Sequence, residues 1–196
     1  MKFLFDLGGV FFDWDPHHFY KNVFDDQAER DNFLKNICND DWNIQQDAGR
    51  LIKDAEIELV KNFPNYEKEI KLYYKNHRKM FRQIFQQSVD ILNDLKEKNF
   101  ECFVLSNWSW ETFEGMEKEY PFLRKFDGFI ISGKEKLVKP NQEIYKLAIS
   151  RFNLIPNETV FIDDRKENIE AAKMLNFLTI HLTSPEIINQ EINKFL

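Results

Sequence analysis

Cysteine, glycine and proline are all scarce in this chain. Its 196 residues include 2 cysteines, 6 glycines and 6 prolines. The cysteines, Cys38 and Cys102, lie far apart and lack the spacing of a metal site. This excludes a disulfide-built scaffold, and two reduced, mostly buried thiols are the simplest interpretation. Hydrophobic residues nevertheless make up 43% of the chain and charged residues 31%, a balance that predicts an ordinary globular protein and excludes an intrinsically disordered one.

Long apolar runs and an excess of basic residues are also missing. No stretch approaches the roughly 18 apolar residues that span a bilayer, and the apolar run at the N-terminus ends at Asp6, too early for a signal peptide. Acidic residues outnumber basic ones by 33 to 27, which gives a net charge of −6. Nucleic-acid-binding proteins usually carry a basic footprint instead. We therefore expect a cytoplasmic protein with no membrane segment and no nucleic-acid partner.

Five short apolar segments alternate with helical patterns along most of the chain. Each is apolar on both faces, which is typical of strands in a parallel sheet that helices cover on both sides. Between them, apolar residues recur at helical spacing, as at Val89, Leu92 and Leu95. The sequence therefore predicts an α/β fold with a Rossmann-like, three-layer parallel sheet. The predicted strands are residues 3–5, 101–105, 128–131, 159–162 and 177–181.

Residues 16–85 interrupt this pattern and carry no convincing strand. We therefore predict an α/β core formed by residues 1–15 and 86–196, and an inserted all-helical cap formed by residues 16–85. An insertion at this point stands over the carboxyl end of the sheet, where it acts as a lid or packs as a helical subdomain with no catalytic part. Its clearest helical stripe comprises Ile70, Tyr73, Tyr74, His77, Phe81, Ile84 and Phe85.

Polar residues follow the first two predicted core strands. The first strand runs into Asp6, Gly8 and Gly9, and the second ends at Ser106 and Asn107. Open α/β sheets bind ligands at the carboxyl ends of their strands. Glycines expose the backbone there, and a hydroxyl beside an amide can donate hydrogen bonds to an anion. Taken singly, the aspartate equally suits a turn, and the serine and asparagine suit a helix cap.

Two later segments add charge of both signs. Lys139 precedes Pro140, which holds the lysine extended and aims it away from the following helix. Such a lysine suits a phosphate or a developing oxyanion, although a solvated loop lysine has the same pattern. Asp163 and Asp164 follow an apolar strand, and adjacent carboxylates repel each other unless a cation or hydrogen-bond donors offset them. A hard divalent cation such as Mg²⁺ is the natural partner.

The four segments together closely resemble the four motifs of the haloacid dehalogenase-like hydrolase superfamily, and the resemblance covers nearly the whole chain, including a helical cap after the first motif. It implies a phosphatase that uses Mg²⁺, acts on a small phosphorylated metabolite and forms an aspartyl-phosphate on its nucleophile. The implied catalytic residues are Asp6, as nucleophile, and Lys139. The implied phosphate-binding residues are Ser106, Asn107, Lys139 and Gly9. The implied metal site comprises Asp6, the Gly8 carbonyl, Asp164 and Asp163, with Asp163 and Asn168 acting indirectly or through water.

One position departs from the pattern of most phosphatases in this family. They carry a second aspartate two residues after the nucleophile, which protonates the leaving alcohol and later activates water, whereas this chain has Gly8. General acid and base assistance is typically worth about a hundred- to ten-thousandfold in rate. Substitute groups are available nearby in sequence, although each also suits a solvated turn. These candidates are Asp13, Asp15, His17 and His18.

Three functions therefore stay open. The first is a magnesium-dependent phosphatase that acts on a small phosphorylated metabolite such as a sugar phosphate. The second is a 2-haloacid dehalogenase, in which Asp6 attacks carbon; it needs no leaving-group acid, but a metal-free site leaves the Asp163–Asp164 pair unexplained. The third is a binding or regulatory protein that has lost turnover, with Gly8 as its main support. Substrate choice is expected to depend on cap residues such as Trp14, Trp42, Asp47 and Arg50.

Overall fold

The computed structural model describes residues 1–196 and contains a five-stranded parallel sheet and a two-stranded antiparallel ribbon. The order in the large sheet is β5-β4-β1-β6-β7. It therefore places the first strand at the centre, flanked by the strands that end at Ser106 and Asp163. The strands are β1 (Lys2–Phe5), β2 (Phe12–Trp14), β3 (Phe81–Ile84), β4 (Glu101–Ser106), β5 (Gly128–Ile131), β6 (Thr159–Asp163) and β7 (Leu178–His181).

Helices cover both faces of the large sheet, which confirms the three-layer α/β prediction. Side chains alternate along β1, so Phe3 and Phe5 enter one buried cluster and Leu4 enters another. The core helices are α6 (Gln86–Glu97), α7 (Trp110–Phe113), α8 (Met116–Glu119), α9 (Ser132–Glu135), α10 (Gln142–Arg151), α11 (Lys166–Lys173) and α12 (Ile188–Ile192). The segment between β2 and β3 contains α1 (Pro16–Tyr20), α2 (Gln27–Asn36), α3 (Asp40–Asp47), α4 (Ile52–Asn62) and α5 (Glu67–Lys75).

The two faces of the sheet are packed by different helices. Apolar residues of α6 and α12 join Phe3 and Phe5 in the larger cluster of 25 buried residues. Those of α10 and α11 join Leu4 in a cluster of 13. The five strands predicted from the sequence are all present, with ends that differ by one residue at most. Since all pairs in this sheet are parallel, their carboxyl ends share one edge.

Helices α1–α5 pack around a third cluster of 13 buried residues, separate from the sheet. We refer to this group of helices as the cap. Three of its helices, α1, α2 and α3, begin at side-chain caps: at the start of α3, the Asn39 carboxamide oxygen accepts from the Trp42 N–H at 2.8 Å. The cap also bonds to the core, because the Glu111 carboxylate accepts from the Ile52 N–H at 2.8 Å. The Arg78 guanidinium donates to the carbonyl of Thr112 at 2.5 Å.

The prediction of one helical stripe from Ile70 to Phe85 is wrong. Helix α5 ends at Lys75, a 3-10 turn covers His77–Met80, and the chain then extends as strand β3. Strand β3 pairs antiparallel with β2, so the segment 16–85 is not entirely helical. The pairing arises because the chain leaves the core through β2 and returns beside it, and Phe12 packs edge-on against Phe81.

Two further sequence expectations can be compared with the structure. Cys38 and Cys102 are both buried and unpaired, which confirms the expectation that both thiols are buried. No helix combines the length and the apolar character that crossing a bilayer requires. Near the C-terminus, the Ser184 hydroxyl accepts from the Glu186 N–H ahead of α12.

Candidate active site

The chemistry-bearing residues meet at the carboxyl edge of the large sheet. Asp6 follows β1, and its N–H donates to the Ile162 carbonyl of β6 at 2.9 Å. Ser106 ends the neighbouring strand β4 on the other side, and its hydroxyl donates to Asp6 Oδ1 at 2.7 Å. The central place of β1 therefore brings together groups that are 100 residues apart in sequence.

Asp6 is a buried carboxylate with a cation beside it. Lys139 Nζ lies 3.0 Å from Asp6 Oδ1. Burial raises the pKa of Asp6, and the positive charge of Lys139 opposes that rise. Ser106 adds a hydrogen bond to the same oxygen, Oδ1. The second carboxylate oxygen, Oδ2, accepts no hydrogen bond from the protein, which leaves it free to act as a nucleophile or a metal ligand.

Lys139 is held in place along both its backbone and its side chain. Its N–H donates to Asn107 Oδ1 at 2.8 Å, and its carbonyl accepts from Asn107 Nδ2 at 3.0 Å. Its ammonium group donates to Asp163 Oδ2 at 2.6 Å. Burial alone would lower the pKa of Lys139, but the charges of Asp163 and Asp6 outweigh it and raise that pKa. The lysine is therefore a fixed positive charge beside Asp6.

Both carboxylate oxygens of Asp163 accept hydrogen bonds from protein groups. Its side chain is completely buried and accepts from Lys139, from Asn168 Nδ2 at 3.0 Å and from the Arg165 N–H at 2.8 Å. The resemblance implies that Asp163 belongs to the metal site and acts there indirectly or through water. In the structure these contacts make it the counter-ion that positions Lys139, with Asn168 in support.

Asp164, by contrast, forms no ion pair with a lysine, arginine or histidine of the protein. Burial, followed by the negative charges of Asp6 and Asp163, raises the pKa of Asp164 to about 7, although the more distant charge of Lys139 opposes the rise. Oxygens of these three carboxylates lie within 4.8 Å of one another. The carbonyl of Gly8 accepts no hydrogen bond from the protein. An all-oxygen set with excess negative charge suits a hard divalent cation such as Mg²⁺.

The chain's relatives identify its family. The family model described as haloacid dehalogenase-like hydrolase matches residues 4–181. The chain belongs to the haloacid dehalogenase-like hydrolases. It is therefore a hydrolase, and phosphatases are among its relatives, which supports the resemblance drawn from its four motifs.

Three relatives illustrate the similarity of this hydrolase to known proteins. A sesquiterpene phosphatase from Aspergillus oryzae is 25% identical over 92% of this chain and 88% of its own length. A phosphorylated carbohydrates phosphatase from Thermotoga maritima is 23% identical over 87% and 79%. A crystal structure of a family enzyme from Bacteroides thetaiotaomicron in complex with magnesium and inorganic phosphate has a TM-score of 0.69 and 24% identity, covering 91% of this chain and 92% of that one.

The two glycines after Asp6 differ in what surrounds them. Gly9 has φ of 65°, and a β-carbon there would lie 2.9 Å from Asp164 Cβ and closer still to its carboxyl group. Its N–H donates to the Phe12 carbonyl at 3.0 Å. The resemblance implies that Gly9 binds phosphate, but its N–H already donates to a protein carbonyl. Glycine is required at this position because a β-carbon would overlap Asp164. A β-carbon on Gly8 would contact nothing within 4 Å.

A cavity of about 550 Å³ lies between this edge of the sheet and the cap of the hydrolase. Trp14, His77 and Trp108 form an aromatic wall, and Asp47 lies on the cap side of the same cavity. Trp14 Nε1 and His77 Nδ1 are buried without a hydrogen-bond partner. Burial lowers the pKa of His77 to about 3, so its imidazole is neutral at physiological pH.

The structure also separates the cap residues that the sequence analysis names. Trp14 and Asp47 line the cavity, whereas Trp42 is buried in the cap core. Arg50 instead pairs with Glu58 at 2.6 Å. Sequence reasoning missed His77 and Trp108 as cavity residues. An aromatic residue directly after Asn107, at the end of a strand, was the available signal for Trp108.

Proposed function

We propose that this hydrolase is a magnesium-dependent phosphatase that acts on a small phosphorylated metabolite through an aspartyl-phosphate on Asp6. The observation that carries the proposal is the cluster of Asp6, Asp163 and Asp164, in which one lysine faces three carboxylates. A divalent cation would offset the remaining negative charge, and a bound phosphate would add ligands of the kind that Mg²⁺ shares with protein carboxylates.

The residues of the site have different roles in the two steps of the proposed reaction. The free Oδ2 of Asp6 attacks phosphorus, the bond to the leaving oxygen breaks, and water later cleaves the aspartyl-phosphate to release phosphate. Lys139 and Ser106 stabilise the charge of the transferring group, since phosphoryl transfer depends on positioning and electrostatics. Mg²⁺, held by Asp6, Asp164 and the Gly8 carbonyl, would supply further positive charge to the phosphate oxygens. Asn107 and Asp163 act by holding Lys139.

Within this class of substrates, we propose a sugar phosphate or another polyol phosphate. Aromatic rings such as those of Trp14 and Trp108 offer flat apolar faces against which a sugar can pack. The similarity to a phosphorylated carbohydrates phosphatase supports the same class.

A panel of phosphate monoesters tests the proposal, with phosphate release measured in the presence and absence of Mg²⁺. We expect release that requires Mg²⁺ and that Asp6→Asn abolishes. Asp25→Asn is the matched control, because Asp25 is exposed in the cap and makes no side-chain hydrogen bond. Phosphate release that survives Asp6→Asn would contradict the nucleophile assignment.

A 2-haloacid dehalogenase is the second candidate, because Gly8 leaves the position of the leaving-group acid empty and halide needs no proton. In that function the substrate carboxylate would enter a cavity that already holds Asp6 and Asp164 without their cation, which is electrostatically unfavourable. Chloride release from 2-chloropropionate without metal would overturn the phosphatase proposal. Binding of phosphate with no turnover of any substrate would favour a regulatory member.

A further inference from the structure

The empty position at Gly8 raises the question of which group transfers protons in this hydrolase. Most groups near the cavity are poorly suited. Asp15 and His17 pair with each other at 2.7 Å and are about half exposed. His18 lies 3.1 Å from Asp13. His77 stays neutral because burial lowers its pKa to about 3, so it has no proton to give as an acid.

Asp47 differs from these groups because it is buried, lines the cavity and forms no ion pair. It is the last residue of cap helix α3. A carboxylate is unfavourable there, since the C-terminus of a helix carries partial negative charge. The one side-chain hydrogen bond to its carboxylate comes from Asn43 Nδ2 at 3.3 Å. Its side chain is thus available to a group bound in the cavity.

The backbone around Asp47 is fixed to the core, which makes its position well defined. Its carbonyl accepts from the Ser132 hydroxyl at 2.6 Å, and the same hydroxyl oxygen accepts from the Trp108 N–H at 2.9 Å. Two residues later, Gly49 has φ of 97° and approaches the Gly133 carbonyl so closely that a β-carbon would lie 2.9 Å from it. Trp108 lies directly after Ser106 and Asn107, and Ser106 donates to Asp6. The Ser132 hydroxyl therefore links Asp47 to the loop that contacts Asp6.

The charges around Asp47 favour a carboxyl group that can both give and take a proton. Burial raises its pKa to about 7, while the Ser109 N–H and the charge of Arg165 oppose the rise, and Asp6 and Asp40 add to it. These groups approach from the strand β1, the loop after β4, the start of α11 and the start of α3. General acid–base catalysis is most efficient when the pKa lies near the working pH.

We infer that Asp47 is the proton-transfer residue of this site and takes the role for which Gly8 has no side chain. In the first step Asp6 Oδ2 bonds to phosphorus, the bond to the leaving oxygen breaks, and that oxygen takes the proton of Asp47. In the second step the Asp47 carboxylate takes a proton from water as the water oxygen bonds to phosphorus. The bond to Asp6 then breaks, and phosphate leaves. The inference rests on the proposed phosphatase function.

Two substrates with different leaving groups test this role. An alkyl phosphate needs a proton on its leaving oxygen, whereas p-nitrophenolate leaves without one. In Asp47→Asn, alkyl phosphate turnover should therefore fall by about a hundred- to ten-thousandfold, the usual range for general acid–base assistance. With p-nitrophenyl phosphate the variant should give a burst of p-nitrophenolate equal to the enzyme concentration, followed by slow turnover, because the water-activating base is missing.

Two further variants separate proton transfer from structural damage. In Gly8→Asp/Asp47→Asn, the aspartate enters open space and should raise alkyl phosphate turnover above that of Asp47→Asn; a folded double variant with no recovery counts against the inference. Asp54→Asn is the matched control, because Asp54 is an exposed cap aspartate away from the cavity, and its activity should equal that of the wild type. Infrared titration provides a readout independent of activity: the protonated-carboxyl band near neutral pH should be smaller in Asp47→Asn than in the wild type, with the part contributed by Asp164 remaining.

The outcomes distinguish this inference from the function on which it rests. Wild-type protein that releases no phosphate from any monoester would overturn both. Wild-type turnover that Asp6→Asn abolishes, together with no burst of p-nitrophenolate or no loss of alkyl phosphate turnover in Asp47→Asn, would overturn the role of Asp47 alone. Loss of alkyl phosphate turnover, together with a p-nitrophenolate burst followed by slow turnover, would establish it.

Discussion

Replacing Gly9 by alanine should disable the site through Asp164, although Gly9 itself has no functional group. Gly9 has φ of 65°, a conformation that costs roughly 1–2 kcal/mol for a residue with a β-carbon. The new methyl group would also overlap the Asp164 carboxyl group, whose Cβ would lie 2.9 Å away. Asp164 must therefore move, and a displacement of about 1 Å at a catalytic group can cost about a hundredfold in rate.

Gly115→Ala is the matched comparison, because Gly115 has φ of 83° but has nothing within 4 Å of a β-carbon. Both variants carry the same backbone penalty, which for this chain length corresponds to a melting temperature roughly 2–8 °C below the wild type. Only Gly9→Ala should lose kcat/KM, by about a hundredfold, and should require more Mg²⁺ for half-maximal activity. The measurements are thermal unfolding and phosphate release as Mg²⁺ is titrated.

The reasoning would be refuted if the two glycine variants showed the same activity and the same dependence on Mg²⁺. That result would mean that Asp164 tolerates displacement, or that it has no part in binding the metal. A large loss of activity in Gly115→Ala would equally refute it, since the backbone penalty alone would then account for the effect of Gly9→Ala.

Three other variants test the remaining contacts. Lys139→Met leaves Asp6 and Asp163 buried without their cation, so we expect a loss of about 3–5 kcal/mol in the free energy of unfolding, measured by urea denaturation; an unchanged value contradicts the ion-pair account. Asn107→Ala removes two hydrogen bonds to the Lys139 backbone, and phosphate release should fall while stability drops by about 1–3 kcal/mol; activity equal to wild type would contradict the positioning role. Burial raises the folded-state pKa of Asp47 from 3.8 to about 7, so between these pH values the folded state binds more protons than the unfolded state, and this residue's contribution to stability falls as pH rises. The difference in melting temperature, wild type minus Asp47→Asn, should therefore decrease as the pH rises from 3.8 to about 7. A difference that stays constant with pH would contradict the raised pKa of Asp47.

Features that depend on neighbouring residues in the chain were predicted well from the sequence. The strands of the large sheet are short apolar runs between helical patterns, and each was placed within one residue of its observed ends. Strand β3 was missed, because Phe81 and Ile84 also match the helical spacing that begins at Ile70. What makes the segment a strand is its pairing with Phe12–Trp14, which lies far earlier in the chain.

Features that depend on distant partners were predicted only as chemical types. From the sequence, Asn107 is predicted to bind phosphate, and Asp163 is predicted to belong to the metal site, indirectly or through water. The structure adds that both residues hold Lys139. Asp47 was named only for substrate selection, because its burial and its place beside the cavity arise from the contact between α3 and the Ser132 hydroxyl. Contacts of this kind leave no local pattern in a sequence.

By itself, the sequence determined the fold class and the kinds of groups at the site: carboxylates, a hydroxyl, a lysine, and a glycine in place of an aspartate. These follow from local patterns of hydrophobicity and from the order of polar residues at strand ends. Only the tertiary structure decided which oxygen meets which donor, that Gly9 admits Asp164, and that the cap brings Asp47 to the cavity. The reason is physical: hydrogen bonds and burial act over a few ångströms in space, between residues that the chain separates by 100 positions, as it does Asp6 and Ser106.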